Sequence, residues 1–257
     1  MPSLLYRALD RLLVHPPEAG RTAWLKDWTF AHRGLHGPGR VENSASAFRA
    51  AIEAGYGIEC DIQRSADGVP MIFHDWDLTR LIGRPEKAGQ LTAAEWRELS
   101  YLEHEEAPIA LADLLDLVAG RVPLMIEIKS RRGYDVQRSC QRVADELAGY
   151  DGLHVVMSFD PRVARWFRNN SPDTIVGLVM REDEIGYTQK PWQRHLALWI
   201  ARPEFLAYHV KALPNLMVAR LRERGMIVPS WTVDTPELLE VARTYADAPV
   251  AEGAGLP

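Results

Sequence analysis

Residues 57–75 read Gly57-Ile58-Glu59-Cys60-Asp61-Ile62-Gln63-Arg64-Ser65-Ala66-Asp67-Gly68-Val69-Pro70-Met71-Ile72-Phe73-His74-Asp75, and the fold turns on this stretch. Its first part, 57–63, is a strand pattern in which Glu59 and Asp61 fall on one face while Ile58 and Cys60 fall on the other. A second strand, 69–74, follows after only Ser65-Ala66-Asp67-Gly68. A parallel crossover needs about a dozen residues or more, so these two strands form an antiparallel hairpin turning at Asp67-Gly68. With the turn centred near 66–67, residue 74 returns to the level of residues 59–60, and His74 arrives beside Glu59.

Outside the hairpin, short apolar runs alternate with helical patterns. Strands are predicted at 29–33, 57–63, 124–129, 154–159, 174–180, 204–210, 227–233 and 248–252. The helices between them carry ordinary start and stop signals. Residues 44–54 end at Gly55, Thr92 and Glu95 form a capping box for 93–99, and Asp160-Pro161 and Thr235-Pro236 each place a cap before a first-turn proline. Eight βα units in 257 residues predict a (β/α)8 TIM-type barrel with a small insertion after the hairpin that follows the second strand. A doubly wound open sheet is the runner-up, and its Gly-x-Gly-x-x-Gly turn after the first strand is absent. The expected layout is a helical extension over 1–28, a barrel domain over 29–257 and an inserted subdomain over 76–110. Leu5, Leu9, Leu12 and Leu13 stand at helical spacing within 3–13, a segment expected to dock on the barrel where a last helix would lie.

Composition narrows the partners. The chain is 47% hydrophobic and carries a formal net charge of −5 without a block of Lys or Arg, which argues against nucleic-acid binding by phosphate neutralisation. Cys60 and Cys140 are too few for a disulfide framework and suit a reducing compartment. No apolar run approaches the ~18 residues of a membrane span, and Arg7, Asp10 and Arg11 interrupt any signal-peptide core, so the expected location is the cytoplasm.

The chemistry sits on the strand ends. Glu59 and Asp61 share one face, as do Glu127 and Lys129, at the C-terminal ends of strands, where such barrels place active sites. Three converging carboxylates repel one another unless a cation neutralises them, and an all-oxygen set suits Mg²⁺ or Ca²⁺ better than zinc. His32 and His74 offer an acid and a base. Arg33 and Lys129 offer fixed positive charge for a phosphate, so the set reads as a phosphoryl-transfer environment.

The ordered set His32-Arg33-Gly34, Glu42-Asn43-Ser44, Glu59-x-Asp61, His74-Asp75 and Glu127-x-Lys129 resembles the glycerophosphodiester phosphodiesterase family. Ser158-Phe159-Asp160 and Trp231-Thr232-Val233-Asp234 extend the resemblance over about residues 29–252. It implies a barrel enzyme that hydrolyses glycerophosphodiesters, such as glycerophosphocholine or glycerophosphoethanolamine, to sn-glycerol 3-phosphate and an alcohol. By the same resemblance Glu59, Asp61 and Glu127 hold the divalent cation, His32 and His74 are the acid/base pair, and Arg33, Lys129 and Trp231 contact the substrate. Glu42 and Asn43 support them. The implied course is attack of the neighbouring glycerol hydroxyl on phosphorus, giving a cyclic phosphate that water opens. A lysophospholipid substrate, or an inactive phosphodiester-binding protein, are the alternatives. His36 and His104 read as exposed loop residues, Cys60 as a core thiol, and Trp166, Trp192 and Trp199 as packing residues.

Overall fold

The structure, a computed structural model, describes residues 4–15, 18, 20–184 and 186–257. Its strands are β1 (Phe30–Ala31), β2 (Gly57–Arg64), β3 (Pro70–Ile72), β4 (Leu124–Ile128), β5 (His154–Ser158), β6 (Val176–Met180), β7 (Phe205–His209), β8 (Pro229–Val233) and β9 (Ala248–Ala251). The helices are α1 (Leu4–Leu13), α2 (Ala45–Glu53), α3 (Thr79–Ile82), α4 (Ala93–Arg97), α5 (Leu111–Val118), α6 (Val136–Leu147), α7 (Pro161–Asn170), α8 (Pro191–Ala201), α9 (Leu216–Glu223) and α10 (Pro236–Tyr245). The chain divides into two compact units, residues 30–154 and residues 1–29 with 155–257.

In the unit 30–154, β2 pairs in parallel with β1 and with β4, and Asp61 stands opposite Glu127 in the β2–β4 register. That register makes the Glu-x-Asp and Glu-x-Lys motifs neighbours on one face of the sheet. β3 returns antiparallel to β2, with Ile62 opposite Ile72 and Arg64 opposite Pro70. Strand geometry ends at Ile72, but the Phe73 N–H still donates to the Asp61 carbonyl at 2.9 Å. Continuing this register puts His74 level with Cys60, the height read from the turn. Residues 76–110 form α3, a 3₁₀ turn at Ala88–Gln90 and α4, the last with its Thr92–Glu95 capping box in place. They close over a core of their own, in which Trp96 meets the Phe73 ring edge-on at 5.1 Å and Leu78, Leu91, Leu99 and Tyr101 are buried. Burying each such side chain contributes roughly 1.5–3 kcal/mol, which fixes the segment that carries His74.

β1 is shorter than predicted because the chain turns at once. Arg33 adopts φ +56° and Gly34 φ +79°, and Asn43 N–H donates to the Arg33 carbonyl at 2.9 Å. α2 then starts from Ser44, whose hydroxyl accepts from Ala47 N–H. Gly34 lies so close to this helix that a Cβ would sit 2.9 Å from Phe48 and 3.0 Å from Ala47.

In the other unit β5 to β9 pair in parallel in chain order, with a register shift between Ser230 and Val233. Asp160 and Thr235 cap α7 and α10 ahead of first-turn prolines. Residue 3 lies outside the described residues, and α1 packs on α8, away from the last-helix position anticipated for it. Tyr6 stacks on His195 at 4.5 Å, and the Asp10 carboxylate takes hydrogen bonds from His195 Nδ1 and Trp199 Nε1, both at 2.9 Å. Trp199 is thus a packing residue with a polar partner, while Trp192 is exposed.

Replacing Gly34 with Ala adds both the left-handed backbone cost and a clash with α2. The expected loss is about 2 kcal/mol in urea unfolding. An unchanged midpoint would show that the turn relaxes freely.

Candidate active site

Glu59, Asp61 and Glu127 are all buried, and one oxygen of each lies within 4.8 Å of the others. The alternation of β2 and its register with β4 produce this cluster. Two cations reach it. Lys129 Nζ lies 2.6 Å from Asp61 Oδ1 and 2.6 Å from Glu127 Oε1. Arg33 donates its backbone N–H to Glu59 Oε2 at 3.0 Å, and its Nε stands 3.3 Å from Asp61 Oδ2 without hydrogen-bond geometry. Asn43, in the left-handed region, gives its side-chain amide to Asp61 Oδ2 at 2.9 Å and takes the Asp61 N–H at 3.3 Å.

The charges divide unevenly. Burial opposes the Asp61 charge, but Lys129, His74 and Arg33 outweigh it and hold the carboxyl far below the ordinary range. Burial likewise works against Lys129, and Asp61 and Glu127 more than compensate, so its ammonium is held charged. Glu59 is the residue left over. Burial, then repulsion from Asp61 and Glu127, exceed the help of Arg33 and Lys129 and push its carboxyl well above the ordinary value. Three buried carboxylates facing two cations therefore lack one positive charge. An oxygen-only set with this spacing fits a hard divalent ion at metal–oxygen distances of about 2.0–2.6 Å.

The imidazoles lie on the same unit. His32 Nε2 is 4.0 Å from Glu59 Oε2. His74 Nδ1 is bonded to Asp75 Oδ1 at 2.6 Å, which fixes the ring and leaves Nε2 as its other nitrogen. Gln63 holds the carbonyls of His74 and Asp75 at 3.2 and 3.0 Å. Beyond Asp75 an ionic chain runs through a residue that motif reading passed over. Arg80 donates Nε to Asp75 Oδ2 at 2.6 Å and its two terminal nitrogens to Glu42 at 2.8 and 2.7 Å. Glu42 in turn accepts from Arg33 Nη1 at 2.7 Å. Burial disfavours the Glu42 charge, and the bonds from Arg80 and Arg33 still hold its carboxyl below the ordinary value. Arg80 thus ties His74 to Arg33. The sequence offered only a lone cation one helical turn past His74-Asp75, a pattern too common to single out.

Trp231 belongs to the other unit, near the end of β8, with a cis peptide to Thr232. Phe159 meets it edge-on at 5.4 Å, His209 lies 5.0 Å away, and the Arg181 guanidinium is 5.7 Å from its ring. Its buried indole N–H has no hydrogen-bond partner among the described residues. His36 and His104 are half-buried rather than open to solvent, and Cys60 is fully buried.

Paired imidazoles, paired cations and a cluster of carboxylates at the ends of parallel strands are the equipment of a phosphoryl-group hydrolase. A profile of the Glycerophosphoryl diester phosphodiesterase family matches residues 32–251. Glycerophosphodiester phosphodiesterase 1 of Bos taurus is 24% identical over 238 residues, covering 80% of this chain and 71% of its own. The glycerophosphodiester phosphodiesterase of Caldanaerobacter subterraneus subsp. tengcongensis is 24% identical over 228 residues, covering 84% of this chain and 89% of its own. Among solved structures, an Oleispira antarctica phosphodiesterase in complex with its product sn-glycerol-3-phosphate superposes with a TM-score of 0.76 at 20% identity, covering 89% of this chain and 93% of that one. The Thermotoga maritima glycerophosphodiester phosphodiesterase gives 0.71 at 24% identity over 87% of this chain and 93% of that one. The fold is the (β/α)8 barrel, which removes the open-sheet alternative. The chain belongs to the glycerophosphoryl diester phosphodiesterase family, and it is a phosphodiesterase.

Two outcomes follow from the cluster and the chain of charges. Because Glu59 holds its proton to higher pH than an ordinary carboxyl, a divalent ion must displace that proton, so its affinity should rise with pH by up to about tenfold per unit. Titration calorimetry from pH 5, just above the ordinary carboxyl range, to pH 8 checks this, and equal affinities across that range would refute it. Arg80→Ala should lower kcat by about 10- to 100-fold and displace its pH profile, with Arg80→Lys partly restoring both. An unaltered profile would reduce Arg80 to a surface ion pair.

Proposed function

We propose that the chain hydrolyses soluble glycerophosphodiesters to sn-glycerol 3-phosphate and an alcohol, with a divalent cation, Mg²⁺ or Ca²⁺, held by Glu59, Asp61 and Glu127. The observation that carries this reading is the missing positive charge of the buried cluster, next to cations whose hydrogen-bonding capacity is not used up. Lys129 has three donors and spends two on carboxylates. The buried Nε of Arg33 has no hydrogen-bond partner among the described residues. Both can serve phosphoryl oxygens. When bound, the cation supplies Lewis-acid polarisation of a phosphoryl oxygen and acidifies a neighbouring hydroxyl.

His32 and His74 divide the proton transfers. In the first half, one imidazole takes the proton of the glycerol hydroxyl as its oxygen attacks phosphorus. The other donates a proton to the departing alkoxide, leaving a cyclic phosphate. In the second half the roles reverse, and water opens the ring. Asp75 keeps the His74 ring turned with Nε2 toward the reaction, and Glu42 and Asn43 hold Arg33 and Asp61 in place. Trp231 contacts the glycerol or leaving group in this reading, supported by its partnerless indole N–H.

A lysophospholipid would call for an apolar mouth built by 76–110. That segment turns its apolar side chains into its own core, and Leu102 is its one large exposed hydrophobic among the described residues. The same packing supports reading 76–110 as an inserted subdomain of one barrel domain. The proposed cytoplasmic location is supported by the two cysteines, both buried and neither in a disulfide; no helix among the described residues is long and apolar enough to cross a membrane.

Phosphorus NMR of a glycerophosphodiester panel should show glycerol 3-phosphate with Mg²⁺ or Ca²⁺ present and none after chelation. His74→Ala should lose at least about 100-fold in kcat. Full turnover in chelator, or in His74→Ala, would sink the mechanism, and ligand binding without product at any metal concentration would mark a binding protein.

A further inference from the structure

One feature that the proposed reaction leaves unused is a cavity of about 480 Å³ framed by α1, α8 and α9. Arg7 and Arg11 enter it from α1, Arg220 from α9, and Arg224 from the end of α9. Met217 and Leu221 add apolar wall. Two carboxylates border it, Asp10 and Glu223. Asp10 is already committed to His195 and Trp199. Arg224 spends its guanidinium on the carbonyls of Asp10 and Val14, at 3.2 and 2.6 Å, and so keeps its charge uncompensated. The side chains of Arg7, Arg11, Arg220 and Glu223 form no ion pair or hydrogen bond with any described residue.

Four guanidinium groups gathered on one concave surface repel one another, and in a chain of net charge −5 that arrangement is not a by-product of a basic composition. An anion bound among them would relieve that repulsion. Guanidinium groups match phosphate oxygens in pairs, and the volume suits a small phosphate ester with its alcohol portion against Met217 and Leu221. Beside the arginines, Leu5 and Leu12 of α1 and Leu216 of α9 are exposed apolar side chains.

We propose that this cavity is a binding site for a phosphate ester, sharing no residue with the carboxylate cluster. The phosphate can arrive on a small polyol or on the headgroup of an anionic lipid. α1 is part of the site, which gives the segment ahead of the first barrel strand a ligand-binding role and makes its docking on α8 a condition of that role.

The full chain should be titrated with glycerol 3-phosphate by calorimetry, and separately sedimented with vesicles of phosphatidylglycerol or of phosphatidylcholine. Two arginines are reversed together, Arg7→Glu with Arg220→Glu, and hydrolysis by this variant should remain at the wild-type level, which reports that it folds. If the ligand is a soluble ester, Lys129→Ala still binds glycerol 3-phosphate, and adding the double reversal weakens that binding at least about tenfold. If it is a lipid headgroup, the wild-type chain pellets with phosphatidylglycerol and not with phosphatidylcholine, and the double reversal stays in solution. Either result supports the site, whichever substrate the enzyme hydrolyses. The proposal is overturned if Lys129→Ala binds no ester and neither vesicle pellets the wild-type chain, or if the double reversal leaves every binding signal unchanged. Should the double reversal be inactive, Arg220→Gln alone is read in the same assays.

Discussion

Three carboxylates buried beside two cations is the constraint on which the rest of the site depends. Burying unpaired charge is costly, and each element around the cluster serves to contain it. β2 and β4 hold Asp61 opposite Glu127, Lys129 bridges them, and the turn at Arg33 and Gly34 brings a backbone N–H to Glu59. What these contacts leave uncompensated is concentrated on Glu59. A site built this way suits a cation, and in the proposed reaction that cation would complete the positive field that a phosphodiester needs. A chain with net charge −5 can bind an anion because its local charge balance is set by burial and register, independently of the total.

The hairpin shows how local backbone rules position chemistry. Only a short turn separates β2 from β3, so the chain must double back, and the register then sets the height of His74 without any tertiary contact. Tertiary packing takes over from there. The core of Trp96, Phe73 and Leu78 anchors the segment after His74, and Arg80 on α3 reaches back to Asp75 and Glu42. The His74 imidazole and Arg33 are thereby tied through one chain of alternating charge, so a disturbance in the insertion should be felt at both.

Much of this was legible in the residues. Alternation along β2 placed Glu59 and Asp61 on one face, and cap signals at Thr92, Asp160 and Thr235 marked helix starts that the structure keeps. Strand ends were overextended at β1 and β3 because propensity does not register the point where a glycine at positive φ or a side-chain clamp such as Gln63 turns the chain. Arg80 stayed hidden for a different reason. Its partners Asp75 and Glu42 are 5 and 38 residues away, and only the fold brings both within reach. The docking of α1 on α8 was equally invisible, since the Asp10–His195 and Asp10–Trp199 contacts span more than 180 residues.

The claim that Glu59 carries the uncompensated charge is open to a direct reading from thermal unfolding of metal-free protein. Glu59→Gln keeps the shape and the acceptor for the Arg33 N–H while removing the carboxyl whose ionisation the buried cluster opposes. The metal-free variant should melt above the metal-free wild type, and Mg²⁺ or Ca²⁺ should raise the wild-type midpoint while leaving the variant unmoved. A variant that melts lower, together with a wild type indifferent to both ions, would contradict the account.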